Sequence, residues 1–447
     1  MKKTSLIAFT TTLLTALAHA GVLEQAPVAK TTDYSSWLDG DFATGDWGGL
    51  RPQLADKGIT PFGYYNAIVA GNPVGGLKHR TTYADDFYFG IKLDLAKLAN
   101  WQGATFMVSG VERDGASVKP VIGSLYEPMQ MVGGQTIFLY QVTLEQKFLD
   151  DRFSLKLGRM SAGDDFAASP LYGYYLSNGI DGNIRAPLLD TRFSAYPFAV
   201  WGARLRYDPT PEWNAMVGVY QASSTMYDSF RHGLDYGLHS NDGVTVHAQF
   251  GWTPELFKRP VPAPADGKSI VDAKSAPAPE MKGMPGHYFV GGWWSSWDFP
   301  EFGSASTMDN SYGVYLHADQ MVYQEAPGSD QGLTVFSTFT YAPQEKISIT
   351  PLQVSGGALY RGLIPGRDND MTIFGFTYGK FSRDYARSIQ LTGAGKPHEE
   401  VVIEGGYRIQ PTKWAYIQPD VQWIINPGGT GRIPNALVVG AQFGLVF

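Results

Sequence analysis

Residues 436–447 alternate strictly between two kinds of side chain. Leu437, Val439, Ala441, Phe443, Leu445 and Phe447 share one parity, while the smaller and more polar set Ala436, Val438, Gly440, Gln442, Gly444 and Val446 shares the other. Successive side chains of a strand point to opposite faces, so such a run is a strand with one apolar and one mixed face. Residues 87–95 repeat the pattern, with Phe87, Phe89, Ile91, Leu93 and Leu95 against Tyr88, Gly90, Lys92 and Asp94. Marking every such run predicts sixteen strands. The first eight lie near 59–70, 83–97, 104–113, 135–149, 153–161, 199–208, 213–222 and 243–253. The second eight lie near 286–298, 311–325, 332–342, 347–363, 370–381, 399–410, 414–427 and 436–447. Short turns at 150–152, 209–212 and 411–413 alternate with longer connections at 114–134, 162–198 and 223–242. An even number of strands of roughly 9–11 residues, joined by short and long connections in turn, is what a membrane-spanning barrel requires. The expected fold class is therefore all-β: an antiparallel membrane-spanning β-barrel of about 16 strands with a short N-terminal periplasmic segment.

Residues 1–20 read as a cleaved secretory signal. Lys2 and Lys3 precede an apolar stretch from Leu6 to Leu17, and Ala18-His19-Ala20 closes it as an A-x-A site. No later stretch approaches the 18 consecutive apolar residues of a spanning helix. An exported chain then has two outcomes, a soluble protein or a barrel, since only a closed barrel otherwise satisfies every backbone group in lipid. Residues 21–58 form the expected periplasmic segment, with a short helix ended by glycine inside Gly48–Gly58, and 59–447 the barrel. Within it, 255–286 carries Pro260, Pro262, Pro264, Pro277, Pro279 and Pro285 and reads as a flexible linker on the periplasmic side.

The composition excludes several function classes. With no cysteine there is no thiol nucleophile, disulfide scaffold or Cys-ligated metal. A net charge of -7 gives no footprint for nucleic acid, which is not expected as a partner. No G-x-S-x-G elbow occurs; His398-Glu399-Glu400-Val401-Val402 has valine where a zincin needs its second histidine, and Gly395-Lys396-Pro397 lacks the features of a phosphate loop. The expectation is a chain without enzymatic activity, cofactor or metal.

Parity also sorts the charges of the wall. Trp201, Ala203, Leu205 and Tyr207 alternate with Gly202, Arg204 and Arg206. Arginine facing lipid near the midplane costs about 2–4 kcal/mol, so Arg204 and Arg206 belong to the lumen. The same rule sends Lys92, Asp94, Glu145, Lys147, Glu404 and Arg408 inward. Arg159 has the parity of Leu155 and Leu157, an outward place that a bulge or a rim position would explain.

The stretches GDWGGLR at 45–51, LGRM at 157–160, VGVY at 217–220, PDVQWIINPGG at 419–429 and NALVVG at 435–440 resemble, in order and spacing, the carbohydrate-selective porin (OprB) family. The resemblance runs from about residue 37 to 447. It implies a sixteen-stranded porin of the bacterial outer membrane, in contact with its lipid, through which mono- and small oligosaccharides diffuse passively past inward-folded loops. The alternative is a general, non-selective porin. The final Phe447 resembles the signal by which such chains engage the barrel-assembly machinery. Val111-Glu112-Arg113-Asp114-Gly115 resembles the family's E-R-x-G element, whose arginine contributes to the constriction, and Glu112 beside it is expected in the same pore lining; the rival reading of Arg113 is an ion pair with Glu112 or Asp114. Loop 162–198 brings Asp164, Asp165, Arg185 and Arg192 beside Tyr172, Tyr174, Tyr175 and Tyr196. Aromatic faces can stack on pyranose rings while charged groups take the hydroxyls, or the same rings can pack the loop onto the wall. The family's tryptophan in this loop has no counterpart between 162 and 198. The sequence does not choose between a homotrimer and a monomer.

Overall fold

The computed structural model describes residues 37–260 and 281–447; the segment 1–20 expected as a signal and the middle of the proline-rich stretch lie outside them. Sixteen antiparallel strands close into one barrel. They are β1 (Ile59–Val74), β2 (Thr81–Asp94), β3 (Ala104–Gly115), β4 (Ile137–Phe148), β5 (Phe153–Met160), β6 (Val200–Thr210), β7 (Trp213–Ala222) and β8 (Gly243–Trp252), then β9 (Met281–Ser295), β10 (Ser311–Gln324), β11 (Gly332–Tyr341), β12 (Leu352–Arg361), β13 (Met371–Lys380), β14 (Glu399–Thr412), β15 (Ala415–Ile425) and β16 (Ala436–Val446). Each pairs with its sequence neighbours, and β1 pairs with β16, Ala67 opposite Phe443, so the wall has no free edge. All sixteen predicted strands are present. Among the described residues no helix is long and apolar enough to cross a membrane.

The outer face carries the predicted apolar parity. Near the short-turn end Phe148, Phe153 and Tyr207 stack in a row, with centroids 5.5 and 4.5 Å apart, and Trp213 stacks on Trp252 at 5.2 Å. Near the long-loop end Trp201, Trp294, Tyr312 and Tyr341 stand exposed. Between these belts lie Val217, Val219, Leu316, Val421 and Val439, also exposed. Two aromatic girdles around an aliphatic band are the outer surface of a barrel in a bilayer.

The segment expected as a linker departs from that reading at both ends. Residues 255–260 form a strand that pairs with the start of β9, Met284 opposite Leu256 and Met281 opposite Pro260. The proline content is tolerated there because this hairpin extends past the wall, where a missing N–H breaks no barrel ladder.

Residues 37–58 lie against the short-turn end. The predicted helix is Leu50–Asp56. Gly58 follows at φ +88°, and a Cβ there would meet the Asp94 carbonyl oxygen at 2.9 Å, so glycine is needed at that turn. Arg51 is held between the rings of Phe42 and Trp47, 3.9 and 4.2 Å from their centroids. Trp37 packs on Trp414 at 4.6 Å, and the Ala43 N–H donates to the Val446 carbonyl at 2.7 Å.

Candidate functional site

The inward parity of the wall is polar: Ser109, Gln141, Lys156, Arg204, Glu404 and Gln442 all lie inside. Two connections at the long-loop end fold into this lumen, residues 116–136 between β3 and β4 and residues 161–199 between β5 and β6.

The longer loop is fixed at its root by ion pairs. Asp165 receives Lys156 at 3.2 Å and Arg204 at 3.2 Å, and Arg204 also donates to Glu145 at 3.0 Å and to the Ser154 hydroxyl at 2.7 Å. Asp164 accepts from the Tyr140 hydroxyl at 2.5 Å and from the Gln141 amide. The loop then crosses the lumen to the opposite wall. There Glu404 of β14 accepts the Leu176 N–H at 2.5 Å and the Ser177 N–H at 3.3 Å. Glu400, four residues earlier on the same strand, accepts the N–H groups of Leu125 and Tyr126 from the shorter loop at 2.7 and 3.0 Å. The two loops interlock: the Glu127 N–H donates to Asn178 Oδ1 at 2.8 Å, and the Asn178 N–H to the Glu127 carbonyl at 2.9 Å. Farther along, buried Asp190 accepts the Thr350 N–H at 3.2 Å, and its Oδ2 has no partner among the described residues. Burial pushes this loop carboxyl up to about 7.

Two lumenal arginines lie within electrostatic reach of the same loop carboxyl. Arg113 of β3 donates through Nε to Asp86 at 2.7 Å and through Nη1 to the Gly133 carbonyl at 3.2 Å, with its guanidinium 4.8 Å from the Tyr196 ring centroid. The Tyr196 hydroxyl donates to the same Asp86 at 2.8 Å. Arg408 of β14 lies between Tyr174 and Tyr416, 4.4 and 4.2 Å from their centroids, and donates to Gln418 and to the Gly173 carbonyl, both at 2.7 Å. The positive charges of both bear on Asp181, at the crossing part of the loop. Arg113 Nη2 and Arg408 Nη1 have no hydrogen-bond partner among the described residues. Each guanidinium is thus stacked and partly bonded, with donors left over.

The sequence-expected residues are distributed unevenly over this site. Arg113 is inside, but its ion-pair partner is Asp86 and not Glu112 or Asp114. Glu112 is a correction: it sits opposite Phe87 of β2 and shares that outward face, because Arg113 next to it takes the inward one. Arg204 and Asp165 do face inward but are committed to the loop-root network. Arg206 faces inward near the short-turn end and forks onto Asp208 at 2.7 to 2.9 Å. Asp164 is exposed to the lumen, and Arg185 is half-buried on the short helix Arg185–Asp190. Arg192 stacks 4.4 Å from Trp297, which comes from the loop after β9 and supplies an indole where loop 162–198 has none. Arg159 is outward at the rim, donating to the Asp235 carbonyl at 2.8 Å under the loop that covers it. Asp86, Asp181 and Glu400 were not anticipated. The parity of Asp86 with Tyr88 and Gly90, and of Glu400 with Glu404, signals their inward side; for Asp181 no sequence pattern does.

A closed sixteen-stranded barrel with a polar interior, narrowed by loops, has the build of a porin. The comparison with known proteins refines that class. Residues 78–447 match the carbohydrate-selective porin, OprB family, and the chain belongs to that family. It is 24% identical to Porin B of Pseudomonas aeruginosa over 100% of this chain and 99% of that one. Its fold overlays on the high-pH structure of Pseudomonas putida OprB with a TM-score of 0.81 at 24% identity, covering 92% of this chain and 99% of the other. The low-pH structure of the same porin overlays with a TM-score of 0.58 at 21% identity, over 92% and 99% of the two chains.

Proposed function

We propose that Arg113 and Arg408 form the selective part of a carbohydrate channel in the bacterial outer membrane. The observation that carries this reading is the pair of lumenal guanidiniums held by aromatic rings with one nitrogen each left unpaired. A sugar in transit presents hydroxyls around its rim and C–H groups on its faces. The spare Nη donors take the hydroxyl oxygens, the Asp181 carboxyl exchanges hydrogen bonds with the hydroxyls, and the tyrosine rings meet the C–H faces. Because the guanidiniums are already oriented, little side-chain freedom is lost as each sugar binds, and the weak, repeated contacts allow it to leave. Arg185 and Arg192 add positive charge above this point. In the same reading residues 1–20 are removed on export, 37–58 and the short turns face the periplasm, and Phe447 engages the assembly machinery.

Liposome swelling with a panel of mono- and disaccharides, set against amino acids of similar size, tests the proposal. Arg408→Ala lowers the sugar preference and shifts ion preference toward cations, while the pair Arg113→Ala with Asp86→Asn, which avoids stranding a buried carboxylate and removes one charge of each sign, lowers the sugar preference with little change in ion preference. Arg113→Lys keeps the charge but not the planar fork, so ion preference is retained while part of the sugar preference goes. Equal sugar-to-amino-acid ratios for wild type and all variants, in barrels with normal heat-modifiable mobility, would place selectivity elsewhere.

A further inference from the structure

We propose that the lumen holds a divalent-metal site of the zinc class, formed by His287 of β9 with His317 and Asp319 of β10. His287 stands directly opposite Asp319 in the β9–β10 register, and Phe289 opposite His317, so all three donors project inward from one patch of wall. Asp319 Oδ2 lies 2.7 Å from His317 Nε2 and 3.5 Å from His287 Nδ1, and the three donor atoms fall within 4.8 Å of one another. Ligands about 2.0–2.2 Å from a tetrahedral zinc ion are about 3.4 Å apart, so closing on an ion needs shifts of an ångström or so.

The surroundings favour a built site. The His317 side chain has no solvent exposure; its ring stacks on Phe289 at 4.7 Å, and its Nδ1 is 2.7 Å from the Tyr172 hydroxyl. With metal on Nε2, the Nδ1–H donates to the Tyr172 oxygen, the outer hydrogen bond that normally orients a ligating imidazole. Seating Tyr172 needs only the His317–Asp319 pair. The second histidine is extra: His287 bonds nothing but Asp319 among the described residues, and 28% of its side chain is exposed, which leaves an approach for the ion. Two imidazoles and one carboxylate suit zinc, cobalt or nickel better than calcium or magnesium. The fourth position stays open to water. Bound there, the ion ties β9 to β10 and, through Tyr172, to the crossing loop.

Isothermal titration of the mature protein, purified without a polyhistidine tag and stripped with chelator, tests this with ZnCl2. One equivalent binds, excess Ca2+ does not compete, His287→Ala and Asp319→Asn each weaken binding by about 100-fold or more, and Tyr172→Phe by about tenfold. Heat-modifiable mobility certifies that each variant is folded. Absence of saturable binding to wild type, or binding unchanged in a folded His287→Ala protein, overturns the site and leaves the sugar-channel reading untouched.

Discussion

Two connections at the long-loop end are rich in aromatic residues, yet they fold in opposite directions. Residues 161–199 enter the lumen, where Phe166, Tyr172, Tyr175 and Phe193 are almost wholly buried. Residues 223–242 spread over the outer rim and leave Phe230 93% and Leu238 78% exposed. The difference lies in what each face of the wall offers to loop backbone. The inner face presents Glu404, Gln418 and Arg408, which bond the amides and carbonyls of residues 173–177. The outer face is aliphatic between its girdles and bonds backbone only at the rim. There Arg159 and Trp201 donate to the carbonyls of Asp235 and Tyr236 at 2.8 and 3.0 Å, and the Leu139 N–H to that of His232 at 2.9 Å. Aromatic content does not set a loop's direction; the wall's supply of polar partners does.

Four experiments break or sharpen that contrast. Arg204→Ala removes the cation shared by Asp165 and Glu145 at the root of the inward loop; the loss is about 3–5 kcal/mol, read as a lower temperature for loss of heat-modifiable mobility. Asp190 gives the inward loop a pH dependence. Its folded pKa of about 7 lies above the ordinary 3.8, so the docked loop binds the proton more tightly than the released one. Docking is strongest in acid, weakens by a few kcal/mol as pH rises from about 4 to about 7, and changes little beyond. Melting at pH 5 and pH 8 differs accordingly for wild type, and Asp190→Asn shrinks the difference to the share of Asp181, the other carboxyl of this loop that burial raises, to about 8. Glu404→Ala leaves the Leu176 and Ser177 amides without their acceptor, at about 1–3 kcal/mol each. Single-channel recording shows a larger and less sugar-selective pore. The outward loop is the control: Phe230→Ser with Leu238→Ser moves stability by less than about 0.5 kcal/mol and leaves conductance as it was.

The wall was legible in the sequence because a barrel writes itself as a period of two, and that period also sent Arg204, Glu404 and Arg408 inward. Naming Glu112 in the pore lining beside Arg113 departed from that period, since adjacent strand residues face opposite ways. The hairpin at 255–260 was missed because proline weakens the strand signal without preventing pairing outside the barrel ladder. Loop placement left still less trace. Glu400 and Glu404 hold backbone N–H groups, and a backbone amide has no letter in the sequence. Arg113 was identifiable through its family-like element, but its partners Asp86, Tyr196 and Gly133 come from three separate parts of the chain.

The pairing of β1 with β16 has a consequence for biogenesis. Ala67 meets Phe443 across the closing seam, and Phe447 donates its N–H to the Gly63 carbonyl at 2.8 Å, so the first strand waits for the sixteenth. Until then both seam strands expose unpaired ladder groups, and closure over nearly the full chain is a slow, high-contact-order event. An unclosed sheet therefore carries two exposed ladder edges, β1 and whichever strand is last in place.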